Sequence, residues 1–174
     1  MVVRLSEGRE AVQAYVDEQV ALGHRHILDI VTEDNVRVFG LIGDLTEEEA
    51  ITVTPADEWR VLDAMKHMVA VIPRSRDRLQ ALSSGQPFEA PPPVSSSGTA
   101  DPSFSELRAA YIDGMTEILS LLRAADPAKG LDVTADHPIY GTYNWLGWAV
   151  FSHHVHTHDH IGQIENIRKA VRPA

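Results

Sequence analysis

The chain has 174 residues, of which 44% are hydrophobic and 23% are charged, and it contains no cysteine. This length fits a single domain over residues 1–174 with enough chain for a core. Without cysteine there is no disulfide, thiolate metal site or cysteine nucleophile, so a metal would be held by His, Asp or Glu. The formal net charge of −10 argues against nucleic-acid binding, which needs clustered Lys and Arg.

No apolar run in the sequence is long enough to cross a bilayer. The first residues, MVVRLSEGREAV, lack the apolar stretch and the cleavage site of a signal peptide. We therefore expect a cytoplasmic protein that does not bind membranes. The densest basic run, Arg74, Arg76 and Arg78, is short and is interpreted as a solvated helix face.

Helical periodicity dominates the chain, and no run of alternating strands is found. Residues 7–43 have this periodicity, with Gly23 and the polar stretch TEDN as candidate interruptions, so one long helix and two shorter helices are both open. The segment LTEEEA at 45–50 contains a T-x-x-E capping box, which predicts a short helical turn.

The next helix has a start signal at Thr54, a suitable N-cap, followed by Pro55 at the first helical position. With this start, Asp57 and Glu58 would lie in the first turn, where acidic residues are favourable. The helix should end before Ser83, and Pro73 predicts a kink or a break within it.

Residues 83–102 are rich in Pro, Ser and Gly and predict a long loop. The segment SFSE at 103–106 is a second capping box and opens a helix that ends near Ala125. After a further loop, the last helix starts near Asn144 and continues to about Val171. Four main helices predict an all-α protein, an antiparallel four-helix bundle with long connecting loops.

The last helix carries five of the chain's nine histidines, in the stretch SHHVHTHDHIGQI. Because an α-helix turns by about 100° per residue, His156 and His160 fall on the apolar stripe that should face the core. His153, one turn earlier, falls on the same stripe. His154 and His158 fall on the opposite side and are expected to face water.

Two inward imidazoles at i, i+4 spacing can chelate one metal ion. The alternative is a pair of core histidines that are satisfied by hydrogen bonds, and the pattern leaves both interpretations open. A chelating pair needs a third ligand from another helix. His67 lies in mid-helix at the edge of an apolar face, but periodicity does not select it over His24, His26 or His137.

Two segments resemble the DinB/YfiT-like superfamily. WRVLDAMKH at 59–67 has Trp and His at the separation found in that family, and HPIYGTYNWLGWAVFSHHVHTHDHIGQIENI at 137–167 resembles its HP-x-f-G … H-x-x-x-H-x-x-Q-I stretch. The resemblance covers most of the chain from about residue 30 onward. It implies a DinB-like four-helix bundle with a three-histidine metal site, whose ligands here would be His67, His156 and His160.

The sequence departs from the family in its extra histidines and its Pro-rich loop. His153 is a candidate for a substitute ligand or for a group that supports the ligands. Asp63, one turn before His67, would either orient that imidazole or lie in solvent. Asp159 is turned away from His160 and is interpreted as solvated. No catalytic acid or base is selected by the pattern.

Three imidazoles on a divalent ion leave positions open for water or substrate, as in catalytic sites. Such an ion can generate hydroxide from water or bind a thiol as thiolate. The resemblance implies the second chemistry, because characterised relatives carry out S-transfer or isomerisation with low-molecular-weight thiols such as mycothiol or bacillithiol. We therefore expect a metal-dependent thiol S-transferase, with a metal-dependent hydrolase as the alternative. Zinc or nickel is the expected metal, and iron or cobalt also suits imidazole ligands.

Two further hypotheses belong to other classes. A non-catalytic metal-binding or stress-response bundle would keep the ligands without a substrate-sized cavity, and a structural dimer would keep an empty histidine cluster. Homodimerisation is implied by the resemblance alone. Near the start of the last helix, Tyr140, Tyr143 and Trp145 are candidates for the mouth of a pocket, whereas core packing is the favoured role of Trp145 and Trp148.

Overall fold

The computed structural model describes residues 1–55, 57–89 and 102–172, and these are mainly helical. After a 3-10 turn at Leu5–Glu7, the helices are α1 (Arg9–Ala21), α2 (His24–Ile42), α3 (Glu47–Ile51), α4 (Val61–Ser83), α5 (Phe104–Ala124), α6 (Trp145–Val150) and α7 (His156–Val171). A π-helical turn, Phe151–Val155, joins α6 to α7. Two short strands, β1 (Ala135–His137) and β2 (Gly141–Tyr143), precede α6. No helix in these ranges is long and apolar enough to span a membrane.

The long helices pack against one another around one apolar core. α4 contacts α5 and α7, and α2 contacts the same two helices from the other side. α1 packs on α2 and α6. Trp145 and Trp148 are among the largest fully buried side chains, so the core packing predicted for both is confirmed.

The first helical region is two helices, and the break lies at Gly23. Gly23 has φ +91°, a left-handed conformation that suits glycine, and it separates α1 from α2. The polar stretch TEDN does not interrupt α2. Its Asp34 and Asn35 are buried, and the amide of Asn35 donates to the Val31 carbonyl at 2.7 Å.

The start predicted for α4 at Thr54 is wrong. Thr54 instead forms an isolated β-bridge with Asp57, and the helix begins at Val61. Arg60 is its N-cap, and the Asp63 carboxylate accepts the Arg60 backbone N–H at 3.1 Å. A carboxylate at the third helical position satisfies a donor that the helix leaves free, so this later start is the stable one.

The other helix boundaries agree closely with the sequence signals. α4 continues through Pro73 without the break that the proline suggested and ends at Ser83. The capping boxes at Thr46 and Ser103 are both formed. Of the predicted 83–102 loop, residues 90–101 lie outside the described residues.

Sequence periodicity missed the small antiparallel sheet. Ala135 pairs with Tyr143, and His137 pairs with Gly141. Strands of three residues are too short to show an alternating pattern. The hairpin places His137 and Tyr140 against Phe151 at the start of the π-helical turn.

Gly114 of α5 allows close packing against Ile72 of α4, the helix that carries His67. A Cβ atom at Gly114 would lie 2.7 Å from Ile72 Cγ2, and the buried, β-branched Ile72 has little freedom to move. We expect Gly114→Ala to lower the free energy of unfolding in urea by about 1–3 kcal/mol. Gly40→Ala is the matched control, because a Cβ atom there meets nothing within 4 Å and should stabilise α2 by up to about 1 kcal/mol. Equal stabilities of the two variants would contradict this packing.

Candidate metal centre

Three histidines from two helices converge at one point. His67 projects from the second turn of α4, and His156 and His160 project from the first two turns of α7. The Nε2 atoms of His67 and His156 are 3.0 Å apart, and those of His156 and His160 are 3.3 Å apart. One ring nitrogen from each histidine lies within 4.8 Å of the other two, so the group could hold a metal ion. The structure thus brings together the three residues that the sequence and the resemblance selected.

The electrostatics of this cluster favour the neutral form of His67 and of His156. Burial, together with the neighbouring histidines, lowers the pKa of His156 to about 3. Burial and His160 also lower the pKa of His67. Two nitrogens that each lie about 2.1 Å from one ion are roughly 3.0–3.4 Å apart at angles of about 90–110°. The spacing and the neutral donors therefore fit a divalent transition metal.

A hydrogen-bonded chain from Asp57 sets the tautomer of His160. Asp57 Oδ1 accepts the amide N–H of Gln163 at 2.9 Å, which turns the amide oxygen of Gln163 towards His160 Nδ1 at 3.0 Å. Since an amide oxygen can only accept, His160 Nδ1 carries the proton and Nε2 keeps its lone pair. Carboxylate or carbonyl partners of this kind commonly orient metal-binding histidines. The sequence placed Asp57 in a helical turn and gave Gln163 no role, so this link was missed.

Trp59 covers the cluster on one side. Its ring stacks on His160 at 6.0 Å between centroids and meets His67 edge-on at 5.6 Å. The Asp57 carboxylate also accepts the Trp59 backbone N–H at 2.9 Å, so one side chain fixes both Trp59 and Gln163. In this chain the Trp of the WRVLDAMKH segment therefore packs directly on two of the three histidines.

The other candidate residues lie outside the cluster. His153 is buried as predicted, but its Nε2 pairs with Ser75 Oγ at 2.7 Å. Asp63 neither contacts His67 nor lies free in solvent, because it binds Arg60 through two side-chain hydrogen bonds of 2.7 Å. His24 pairs with the Leu122 carbonyl, and His26 pairs with Gln19.

The prediction that His154 and His158 face water is wrong. His154 Nδ1 lies 2.7 Å from Asp34 Oδ2, and its Nε2 lies 2.8 Å from the Tyr15 hydroxyl. The side chains of His154 and Asp34 are only 7% and 9% exposed. His158 is half-buried, with Nδ1 3.5 Å from the other Asp34 oxygen. The helical wheel assumed one buried face, whereas α7 is packed between α4 and α2.

The carboxyl group of Asp159 also has a structural partner, since it accepts the Leu5 backbone N–H at 3.0 Å. The interpretation of Asp159 as a merely solvated residue is therefore incomplete. The bond ties the N-terminal 3-10 turn to α7.

A pocket of about 750 Å³ opens beside the cluster, and His67 and His156 form part of its wall. Apolar and aromatic side chains supply much of the rest, including Val71, Tyr140, Trp148 and Phe151. Tyr140 therefore lies where the sequence placed it. Tyr143 and Trp145 are not among the lining residues; both are buried, and the Trp145 indole donates to the Lys129 carbonyl at 2.9 Å.

His137 is a polar group of the pocket wall. Its Nδ1 accepts the backbone N–H groups of Ile139 and Tyr140, each at 3.1 Å, so the neutral ring carries its proton on Nε2. Burial and the positive charges of Arg78 and Arg74 lower the pKa of His137. The pocket thus contains an oriented imidazole that is separate from the three-histidine cluster.

The fold and the site together define a mainly helical protein with three histidines that could hold a metal ion. Residues 32–164 match the model of the DinB superfamily, and the chain belongs to that superfamily. The resemblance carried by the two motifs is therefore confirmed. No curated protein and no solved structure gave a match.

Asp34 is the interior partner of His154 and His158, the two histidines on the far side of the last helical segment from His67. Asp34→Ala removes the partner of a buried imidazole, and we expect it to lower the free energy of unfolding by about 2–4 kcal/mol. Asp29→Ala, on the same helix, is the control, because Asp29 and its partner Arg25 have side chains that are 57% and 87% exposed. That change should stay within about 0.5 kcal/mol. Equal losses in the two variants would mean that this face of α7 is solvated.

Proposed function

We propose that the protein binds one divalent transition metal ion through His67, His156 and His160 and uses it as a thiol S-transferase. The observation that carries the proposal is that two histidines of the cluster, His67 and His156, lie in the wall of a substrate-sized pocket. The packing of the long helices is consistent with the bundle that such a site needs. α2 contacts α5, α5 contacts α4, α4 contacts α7, and α7 contacts α2, which closes the ring. We infer that these four helices, with α6 extending the last one, form the DinB-like four-helix bundle.

The residues of the chain have separate tasks in this reaction. His160 is held by Gln163 with its Nε2 lone pair directed at the other two ligands. Trp59 limits the access of water from one side, and Trp148 and Phe151 offer an apolar wall for the carbon skeleton of a substrate. When bound, the metal ion would lower the pKa of a thiol that coordinates it, so that the thiol is a thiolate nucleophile at neutral pH. His137 holds a proton at Nε2 in the same pocket.

The pocket favours an enzyme over the non-catalytic alternatives. A metal-binding or stress-response bundle without turnover needs no cavity of about 750 Å³ beside its metal ligands. Hydrolysis of a substrate by metal-bound water would use the same open site, so a hydrolase is the second candidate. An imidazole set suits zinc or nickel, and also iron or cobalt. A low-molecular-weight thiol as substrate and a homodimer as the assembly are proposals that the family membership supports.

The metal and the thiol are tested in one experiment on protein purified without an affinity tag. We expect about one transition-metal ion per chain by elemental analysis, and less than about one tenth of that in His156→Ala. His26→Ala is the control, because His26 pairs with Gln19 away from the cluster. After exchange of the metal for Co²⁺, a small thiol such as 2-mercaptoethanol should add a sulfur-to-cobalt charge-transfer band in the near ultraviolet.

Two results would contradict the proposal. An equal metal content in His156→Ala and the wild type would place the ion elsewhere. A cobalt spectrum that thiols leave unchanged would exclude thiolate binding and favour hydrolysis.

Gln163 should influence the metal through His160 alone. In Gln163→Leu the Nδ1 proton of His160 loses its acceptor, and we expect the affinity for Zn²⁺ to fall by about 10–100-fold. The measurement is a competition titration with a chromophoric chelator. Gln80→Leu, at an exposed position of α4, should bind Zn²⁺ like the wild type. An unchanged affinity in Gln163→Leu would show that the Asp57–Gln163 link does not support the ligand.

A further inference from the structure

Two arginines line the pocket on the helix face that carries His67. Arg74 and Arg78 follow His67 by seven and eleven residues, so the three lie within roughly 40° of one another around the α4 axis. Their Cα atoms are displaced from that of His67 by about 10 Å and 16 Å along the axis. Both side chains line the pocket whose wall also contains His67. The pocket therefore has a basic end and a histidine end.

The interpretation of the basic run as a solvated face fails for Arg78, whereas Arg74 is exposed. Arg76 forms ion pairs with Asp77 and Glu117 on the exposed side of α4. Arg78, by contrast, is half-buried, and its guanidinium carbon lies 3.6 Å from the centre of a Trp148 ring and 5.0 Å from that of Phe88. Aromatic rings thus cover the flat face of this guanidinium and leave its edge for hydrogen bonds.

The edge of Arg78 has no acceptor in the described part of the chain. Its Nε atom is buried and lacks a hydrogen-bond partner, and neither Arg78 nor Arg74 forms an ion pair with a described residue. Burial and the Arg74 charge lower the pKa of Arg78 to about 10, so it is still charged at neutral pH. A buried N–H group of a cation that lacks an acceptor is costly, and an anion that binds there removes this cost.

The acidic residue of the pocket wall does not neutralise the arginines. Asp136 is exposed, and its Oδ1 accepts the Thr142 hydroxyl at 2.6 Å. The positive charges of Arg78 and Arg74 also reach His137, whose pKa they lower. In a chain with a net charge of −10, this is a local region of positive potential.

We propose that the pocket takes an organic carboxylate, held by Arg78 and Arg74 at one end and extending towards His67 and His156 at the other. A planar carboxylate matches the fork of a guanidinium with two parallel hydrogen bonds. Trp148 and Phe151 would contact the carbon chain between the two ends. The inference rests on the proposed function in taking this pocket as the substrate pocket, and it names the chemical class of the substrate.

The test compares 4-phenylbutyrate with its neutral amide, 4-phenylbutyramide, by calorimetric titration of the full-length protein. In the wild type and in Arg76→Gln, the carboxylate should bind at least tenfold more tightly than the amide. Arg78→Gln should abolish this preference, and Arg74→Gln should reduce it at least threefold. The preference should also weaken as salt is raised from 50 to 500 mM.

Each titration is repeated after treatment with a chelator. A preference that persists without metal belongs to the arginines, and one that vanishes belongs to a metal ion and overturns the inference. The inference is also overturned if the two probes bind alike, if neither binds at millimolar concentration, or if both arginine variants keep the preference. Should Arg78→Gln fail to fold, as judged by circular dichroism, Arg74→Gln and the salt series decide. Because no turnover is measured, failure of the S-transferase proposal would leave this result unaffected.

Discussion

Three imidazole nitrogens directed at one another form the interaction on which the rest of the site depends. The Nε2 atoms of His67 and His156 are 3.0 Å apart, and those of His156 and His160 are 3.3 Å apart. Each nitrogen of a neutral imidazole carries either a proton or a lone pair. His160 Nδ1 carries the proton and donates it in a hydrogen bond to the Gln163 amide oxygen, so Nε2 carries the lone pair. Three such nitrogens cannot satisfy one another fully, whereas one divalent cation satisfies all three. Burial and the neighbouring histidines lower the pKa of His156 to about 3, so this imidazole stays neutral at neutral pH.

The helix that supplies two of these ligands is buried on two sides. One side of α7 faces α4 and His67, and the other faces α2. In the π-helical turn before α7, which also contacts α2, His154 lies 2.7 Å from Asp34. The bond between Asp159 and the Leu5 backbone adds a third attachment. These contacts fix the rotation of α7 about its axis, so His156 and His160 are held towards His67 by interactions on the far side of the helix.

Local signals in the sequence predicted the parts of the structure that depend on local chemistry. The capping boxes at Thr46 and Ser103 satisfy helix ends within one turn, and i, i+4 spacing placed His156 and His160 together. Most of the predictions that were wrong or missing concern residues whose partners are distant in the sequence. The surroundings of His154 are decided by Asp34, 120 residues away, and the helix start at Val61 depends on Arg60 and Asp63 rather than on Pro55. The role of Gln163 required Asp57 from another segment, 106 residues away.

The site combines a cluster suited to a metal with a pocket suited to an acidic substrate, and both depend on α4. The three-histidine metal site is tested by an anomalous difference map, collected at the zinc absorption edge from crystals grown with zinc. We predict one strong peak within about 2.1 Å of the Nε2 atoms of His67, His156 and His160. A peak at Asp34, His154 and His158 instead, or none at the cluster under saturating zinc, would show that these three histidines do not form the metal site.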